Sequence, residues 1–174
     1  MARLALLLGV ASLAAGGSAD TIAVNGTVTL HGFDVMKACK WRGTRKVLRV
    51  GCTVYGAYAG TPGPADAGYG WVWSVPADAH GMTTGYGFER GTLLLDFGRR
   101  GVLTLSLTGK QGPVGAPPTF ERAKVRTRGT WTMTKGTASL ARRHGTGTYS
   151  YTIARAKAGT TFSFASLALT GSIS

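Results

Sequence analysis

The sequence predicts an all-β domain, a single antiparallel β-barrel of about eight strands, with a β-sandwich as the alternative. The chain has 174 residues, one domain's length, and it combines 27 glycines with only 16 % charged residues, a composition typical of short strands and tight turns. Apolar and polar residues alternate with period two in several runs, as expected of strands that bury one face. Outside the N-terminus no segment sustains a helical apolar period, which excludes a coiled coil.

The first 19 residues have the three parts of an export signal. Arg3 supplies the positive charge, residues 4–15 are apolar, and residues 17–19 are small. The alternative is an uncleaved membrane anchor, but this apolar stretch is well below the ~20 residues that span a bilayer. We therefore expect cleavage after Ala19, a secreted or periplasmic location, and a single domain over residues 20–174 without a membrane span.

Export changes the interpretation of the two cysteines, because an oxidising compartment favours a disulfide. Cys39 and Cys52 are predicted to pair, the alternative being two unpaired residues in the core. A zinc site is not expected, since His31, His80 and His144 show no paired-ligand spacing. The sequence predicts neither a metal site nor a cofactor.

The first half of the domain is predicted to contain a strand, a loop and a hairpin. Residues 45–55 are expected to form a strand with Cys52 on its apolar face, and the small residues at 56–70 indicate a surface loop. In the clearest alternation, three leucines at 103, 105 and 107 face inward between polar residues. This run and a preceding one flank a tight connection at 98–101, which predicts a β-hairpin over 91–108.

The second half continues with strands. A proline-containing loop is expected at 109–119, and then Val125, Trp131 and Met133 share one face of a strand. Two aromatic residues at 149 and 151 mark the next strand. In the last strand, the apolar positions change from even to odd between 164 and 167, which predicts a β-bulge near Ala165 and Ser166.

The positive charge predicts a second kind of partner. Lys and Arg number 20 against 7 Asp and Glu, a formal net charge of +13, so the chain attracts polyanions. The candidate anion-binding residues lie on one strand face and in the following turn: Arg122, Lys124, Arg126, Arg128, Arg142 and Arg143. A polyanion of the cell envelope or a nucleic acid is the predicted partner, and a merely solvated basic face is the alternative.

The barrel interior is the leading candidate for a binding site. The residues expected to line it are Leu103, Leu105, Leu107, Trp131, Met133, Tyr149 and Tyr151. An eight-stranded barrel is either filled by such side chains or keeps space for one small ligand, and Gly129 favours a cavity for an apolar ligand. No catalytic residue is predicted, because no two carboxylates are paired on a strand face. A buried carboxylate or histidine in the lumen would favour the third alternative, a cyclase-type or isomerase-type enzyme.

A family resemblance points to the same architecture. Residues 128–137 read RGTWTMTKGT, and they are followed by Ala141 and by GTGT at 145–148. This stretch, over about 128–153 and with weaker support from the hairpin at 91–108, resembles exported bacterial proteins related to the allene oxide cyclase and dirigent barrels. The resemblance implies an eight-stranded barrel with a hydrophobic interior. It implies no activity, since no catalytic residue of the plant cyclases matches a position here.

Overall fold

A computed structural model describes residues 20–30, 33–34, 39–43, 47–76, 87–113, 124–155, 161–164 and 166–174. The predicted export signal, residues 1–19, lies outside these residues. The strands are β1 (Ile22–Ala23), β2 (Asn25–Leu30), β3 (Phe33–Asp34), β4 (Cys39–Gly43), β5 (Val47–Thr61), β6 (Ala65–Pro76), β7 (Phe88–Asp96), β8 (Val102–Pro113), β9 (Lys124–Gly136), β10 (Gly145–Arg155), β11 (Thr161–Phe164) and β12 (Leu167–Ile173). Two short 3-10 helices, Gly98–Arg100 and Ala138–Leu140, lie between strands.

Eight of these strands close into an antiparallel barrel, which confirms the predicted fold class and replaces the sandwich alternative. The order around the barrel is β2, β5, β6, β7, β8, β9, β10 and β12, and β12 pairs back onto β2. The short strands extend this barrel at its margins: β1 pairs with β12, β3 with β11, and β4 with β5. Closure leaves these eight strands without a free edge along most of their length.

The two ends of the barrel differ. At one end, here called the turn end, short connections at 62–64, 97–101 and 137–144 join successive strands. At the other, here called the loop end, the strands lead into residues 77–86, 114–123 and 156–160, which lie outside the described residues. Longer connections are where binding residues concentrate, so the loop end is the first place to look for a site.

Two predicted loops are wrong in part. Residues 56–70 are not a surface loop, because β5 runs to Thr61 and β6 begins at Ala65. Small residues alternate there with Tyr58 and Tyr69, which are both buried, so the segment has the period of a strand despite its composition. β8 likewise continues to Pro113, and residues 114–119 of the second predicted loop lie outside the described residues.

The hairpin and the irregular last strand are as predicted. Phe88–Asp96 and Val102–Pro113 pair through a turn at 97–101. Along β10, Ser150 pairs with Ala168, so an unbroken ladder would place Ile153 opposite residue 165. It lies opposite Phe164 instead, which is a register shift of one residue at the predicted bulge.

The core is the barrel interior. All seven residues predicted to face inward are buried, namely Leu103, Leu105, Leu107, Trp131, Met133, Tyr149 and Tyr151. Glycines make room for the large rings: a Cβ on Gly147 or Gly171 would collide with the Trp131 indole. Trp131, fully buried, therefore lies across β10 and β12, and most of the lumen at the turn end is filled by side chains.

Candidate functional site

A row of inward-facing residues crosses the barrel near its loop end. Strand pairing places Trp73 of β6 opposite Glu89 of β7, and Glu89 opposite Gly109 of β8. The same row continues through Gly129 of β9 to Tyr149 of β10. The β-ladder thus brings an acidic residue, two glycines and two aromatic residues into one layer of the interior.

The two glycines of this row allow Tyr149 to reach across the barrel. A Cβ on Gly109 would meet the Tyr149 hydroxyl, and a Cβ on Gly129 would lie 2.6 Å from Tyr149 Cε1. The ring therefore lies against both backbones, and its hydroxyl comes 3.0 Å from Glu89 Oε1. The space that Gly129 suggested for an apolar ligand is occupied by Tyr149, so the predicted cavity over Gly129 is wrong.

Glu89 is fully buried and accepts hydrogen bonds on both oxygens. The hydroxyls of Tyr69, at 2.5 Å, and Tyr149 donate to Oε1. The indole N–H of Trp73 and the hydroxyl of Tyr151 donate to Oε2, and Trp73 Nε1 is also 3.1 Å from the Tyr151 oxygen. Four donors match the roughly four lone-pair positions of a carboxylate, which offsets the cost of burying it.

The protonation of this cluster follows from its burial. Burial raises the pKa of Glu89 from 4.5 to about 7, against the opposing effect of the hydrogen bonds from Tyr69, Trp73 and Tyr149. Burial, and then the charge of Glu89, raise the pKa of Tyr149 and of Tyr69 above the usual value of a phenol. The phenols stay protonated donors, whereas the carboxyl gains or loses its proton near neutral pH.

The next layer towards the loop end contains an unused hydrogen-bonding group. Thr127 of β9 lies opposite Gln111 of β8 on one side and Tyr151 of β10 on the other. Its side chain is fully buried, and its hydroxyl oxygen has no hydrogen-bond partner in the described part of the chain. Gln111 is half-buried and donates its backbone N–H to Gly87, at 2.9 Å. We call Gly87, Gln111, Thr127 and Tyr151 the mouth layer.

Sequence reasoning found only part of this site. Tyr149 and Tyr151 were predicted as interior residues, but Glu89 and Thr127 were not. The phase of the strands contains the signal for both. Glu89 has the same odd phase as the buried leucines at 93 and 95, and Thr127 the same phase as the buried Trp131.

The predicted anion-binding residues do not form one cluster. Arg126 and Arg128 are exposed on the outer face of β9, as predicted. Arg142 and Arg143 precede β10 at the turn end, whereas Arg128 lies opposite Ser150, at least about 16 Å further along that strand. The predicted union of the two groups is therefore wrong. Arg122 and the Lys124 side chain lie outside what the structure describes.

The cysteines lie where a bridge needs them. Cys39 of β4 is directly opposite Cys52 of β5, a pairing whose Cα separation suits a disulfide. The Cys39 side chain lies outside what the structure describes, so the disulfide stays a prediction. Within the described ranges, no three His, Cys, Asp or Glu side chains come together as a set that holds a metal ion.

Comparison with known proteins adds no relative: no family model, curated protein or solved structure matches the chain. The resemblance to the allene oxide cyclase and dirigent barrels therefore stays a prediction, although the closed eight-stranded barrel agrees with the fold that it implies. None of the helices in the described residues is long and apolar enough to cross a membrane. Arguments about function rest on the chain's own residues.

Proposed function

We propose that the barrel binds a small, largely apolar molecule with one hydrogen-bonding group, and that the molecule is bound at the mouth layer, above Glu89. The observation that carries this proposal is the Thr127 hydroxyl, which is fully buried and has no partner among the described residues. A buried, unpaired hydroxyl costs about 1–3 kcal/mol, so a bound molecule that pairs with it recovers free energy. The export signal predicted at residues 1–19 supports a role outside the cytoplasm.

The surroundings of Thr127 limit the chemistry of the ligand. Tyr151 and Trp73 present aromatic surface next to the mouth layer, and this favours a mainly apolar or aromatic body. Glu89 carries a negative charge when it is ionised, and the low dielectric of the interior makes repulsion of an anion costly. The expected ligand is therefore neutral or cationic rather than a carboxylate.

A matched pair of probes tests the proposal: 2-naphthol has a hydroxyl that naphthalene lacks. Isothermal titration calorimetry should show tighter binding of 2-naphthol to the wild-type protein, by about fivefold for one added hydrogen bond. Thr127→Val, which keeps the shape and removes the hydroxyl, should abolish this preference. Thr127→Ser should retain it.

Thr130→Val is the control, since Thr130 is exposed on the outer face of the same strand. It should leave the preference for 2-naphthol unchanged. Binding of neither probe, or an equal preference in Thr127→Val and the wild type, would contradict the proposal. A barrel with only a structural role would then be the better account.

A second candidate function, proton-transfer catalysis, is favoured by one observation. Glu89 has its pKa raised to about 7, where a general base works efficiently near neutral pH. The Tyr151 hydroxyl, which bonds Glu89 in the layer below, belongs to the mouth layer itself. A ligand C–H proton would pass to the Tyr151 oxygen as Tyr151 passes its own proton to Glu89, and return at another carbon completes an isomerisation.

Deuterium exchange tests this second candidate. A cyclic ketone such as 2-tetralone, incubated with the protein in D₂O, should gain deuterium next to its carbonyl faster than in buffer. Glu89→Gln should reduce the rate to that of the buffer, whereas Asp66→Asn, which changes an exposed carboxylate, should not. No acceleration by the wild-type protein would exclude proton transfer from this ketone and leave the binding role alone.

A further inference from the structure

The outer face of the barrel carries a row of cations around an exposed phenylalanine near the loop end. Across adjacent strands, Arg49 of β5 lies opposite Ser74 of β6, and Ser74 opposite Phe88 of β7. Phe88 is opposite Lys110 of β8, and Lys110 is opposite Arg128 of β9. With strands about 4.8 Å apart, the row spans about 19 Å.

Two more arginines widen this row. Arg90 lies two residues from Phe88 on β7, and Arg126 lies two residues from Arg128 on β9, so both point to the same outer face. All five basic side chains are exposed. We call this set the basic face: Arg49, Phe88, Arg90, Lys110, Arg126 and Arg128.

The surface is shallow and has an aromatic ring open to solvent. Phe88 is 59 % exposed, and the Lys110 ammonium lies 5.6 Å from the centre of its ring. A groove of about 660 Å³ runs between Phe88, Lys110, Arg126 and Arg128, and glycines at three positions of β8 and β9 keep it open. An exposed apolar ring inside a positively charged groove has no role in packing the core.

Acidic residues do not neutralise this surface within the described part of the sheet. Asp66 and Asp96 are exposed on the outer face, and they lie opposite each other next to the turn end. Asp96 is eight positions from Phe88 along β7, about 26 Å away. That distance exceeds the Debye length at physiological salt, so the positive potential of the basic face is largely retained.

We infer that the basic face binds single-stranded nucleic acid, with the cations on its phosphates and one base stacked on Phe88. Bases that are not paired offer their faces to aromatic side chains, and stacking does not depend on sequence. A duplex keeps its bases stacked inside, and a polymer that offers charge alone has no use for the exposed ring. The site is independent of the mouth layer, because the two lie on opposite faces of the same sheet.

Fluorescence anisotropy with a short labelled oligothymidine tests the inference at salt concentrations from about 50 to 200 mM. Affinity should fall with salt, with a logarithmic slope of about 0.7 for each phosphate contacted. The double variant Arg126→Gln, Arg128→Gln should make this slope shallower by about 1.4. Phe88→Ala should weaken binding about tenfold at every salt concentration and leave the slope unchanged.

The matched control is the double variant Arg99→Gln, Arg142→Gln, which removes the same charge from exposed residues at the turn end. It should retain the wild-type slope, and thermal melting should show that every variant is folded. Equal weakening by the control would show attraction to net charge alone and overturn the site. Oligothymidine binding that ignores Phe88→Ala, or binding of heparin but not oligothymidine, would overturn the nucleic-acid assignment.

Discussion

Replacing Glu89 by glutamine should remove a pH dependence from the stability of the barrel. In the native state Glu89 is fully buried among Tyr69, Trp73, Tyr149 and Tyr151, and its pKa is raised to about 7. In the unfolded chain the same carboxyl is solvated and titrates near its ordinary pKa of 4.5. Between these two values the native state keeps a proton that the unfolded state has released.

The sign and size of the effect follow from this difference. Because the native state binds more protons, raising the pH through this window favours unfolding. The stabilisation is present at about pH 4.5, is lost as the pH rises to about 7, and changes little above that. The raised pKa corresponds to about 3 kcal/mol over the whole window.

Urea unfolding from about pH 4.5 to pH 7.5 measures this dependence. The quantity to compare is the free energy of unfolding of the wild type minus that of Glu89→Gln, because other titrating groups cancel in the difference. It should fall by about 3 kcal/mol as the pH rises. The amide nitrogen of glutamine cannot accept from the Trp73 N–H, so the variant should be the less stable protein at low pH.

Asp66→Asn serves as the control, since it removes an exposed carboxylate from the same sheet. Its difference from the wild type should not show the loss of about 3 kcal/mol predicted for Glu89. A constant difference between the wild type and Glu89→Gln, or one that grows with pH, would refute the reasoning. Either result would mean that Glu89 is ionised in the native barrel throughout this range.

Three further predictions concern packing, the unpaired hydroxyl and the cysteines. Gly129→Ala should destabilise the protein by about 2 kcal/mol in chemical denaturation, because a Cβ there collides with Tyr149, whereas Gly112→Ala, with open space around it, should be nearly neutral; equal effects would contradict the packing of Tyr149. Thr127→Val should raise the melting temperature of the ligand-free protein by removing a buried unpaired group worth about 1–3 kcal/mol, and a lower melting temperature would show that the hydroxyl is paired. Thiol titration of the denatured, unreduced protein should find no reactive thiol if Cys39 and Cys52 are bonded, and two thiols per chain would contradict the bridge.

The fold could be predicted from the sequence because its signal is local. Alternation at Leu103, Leu105 and Leu107 sets the inward face of β8, and the phase change near residue 165 indicates the bulge, without any knowledge of distant contacts. Composition misled where it replaced period. The glycines and alanines of residues 56–70 suggested a loop, but they alternate with buried tyrosines in two paired strands.

The site depends on barrel closure, and this limits what the sequence predicts. Glu89 and Tyr149 are 60 residues apart, and they meet only because β7 and β10 face each other across a lumen that two glycines keep clear. Phase alone predicts that Glu89 points inward, but not which donors surround it. The basic face is likewise a property of register, since Lys110 and Arg128 are neighbours across strands and not along the chain.

Nuclear magnetic resonance mapping of the bound probe tests the central claim most directly. With 2-naphthol added to isotopically labelled protein, the account predicts that the largest amide shifts lie at the mouth layer, at Gln111, Thr127 and Tyr151. Residues of the turn end, such as Gly101 and Leu140, should hardly shift. The largest shifts at the turn end, or no shift at the mouth layer at saturating probe, would contradict the claim that the barrel binds a small molecule above Glu89.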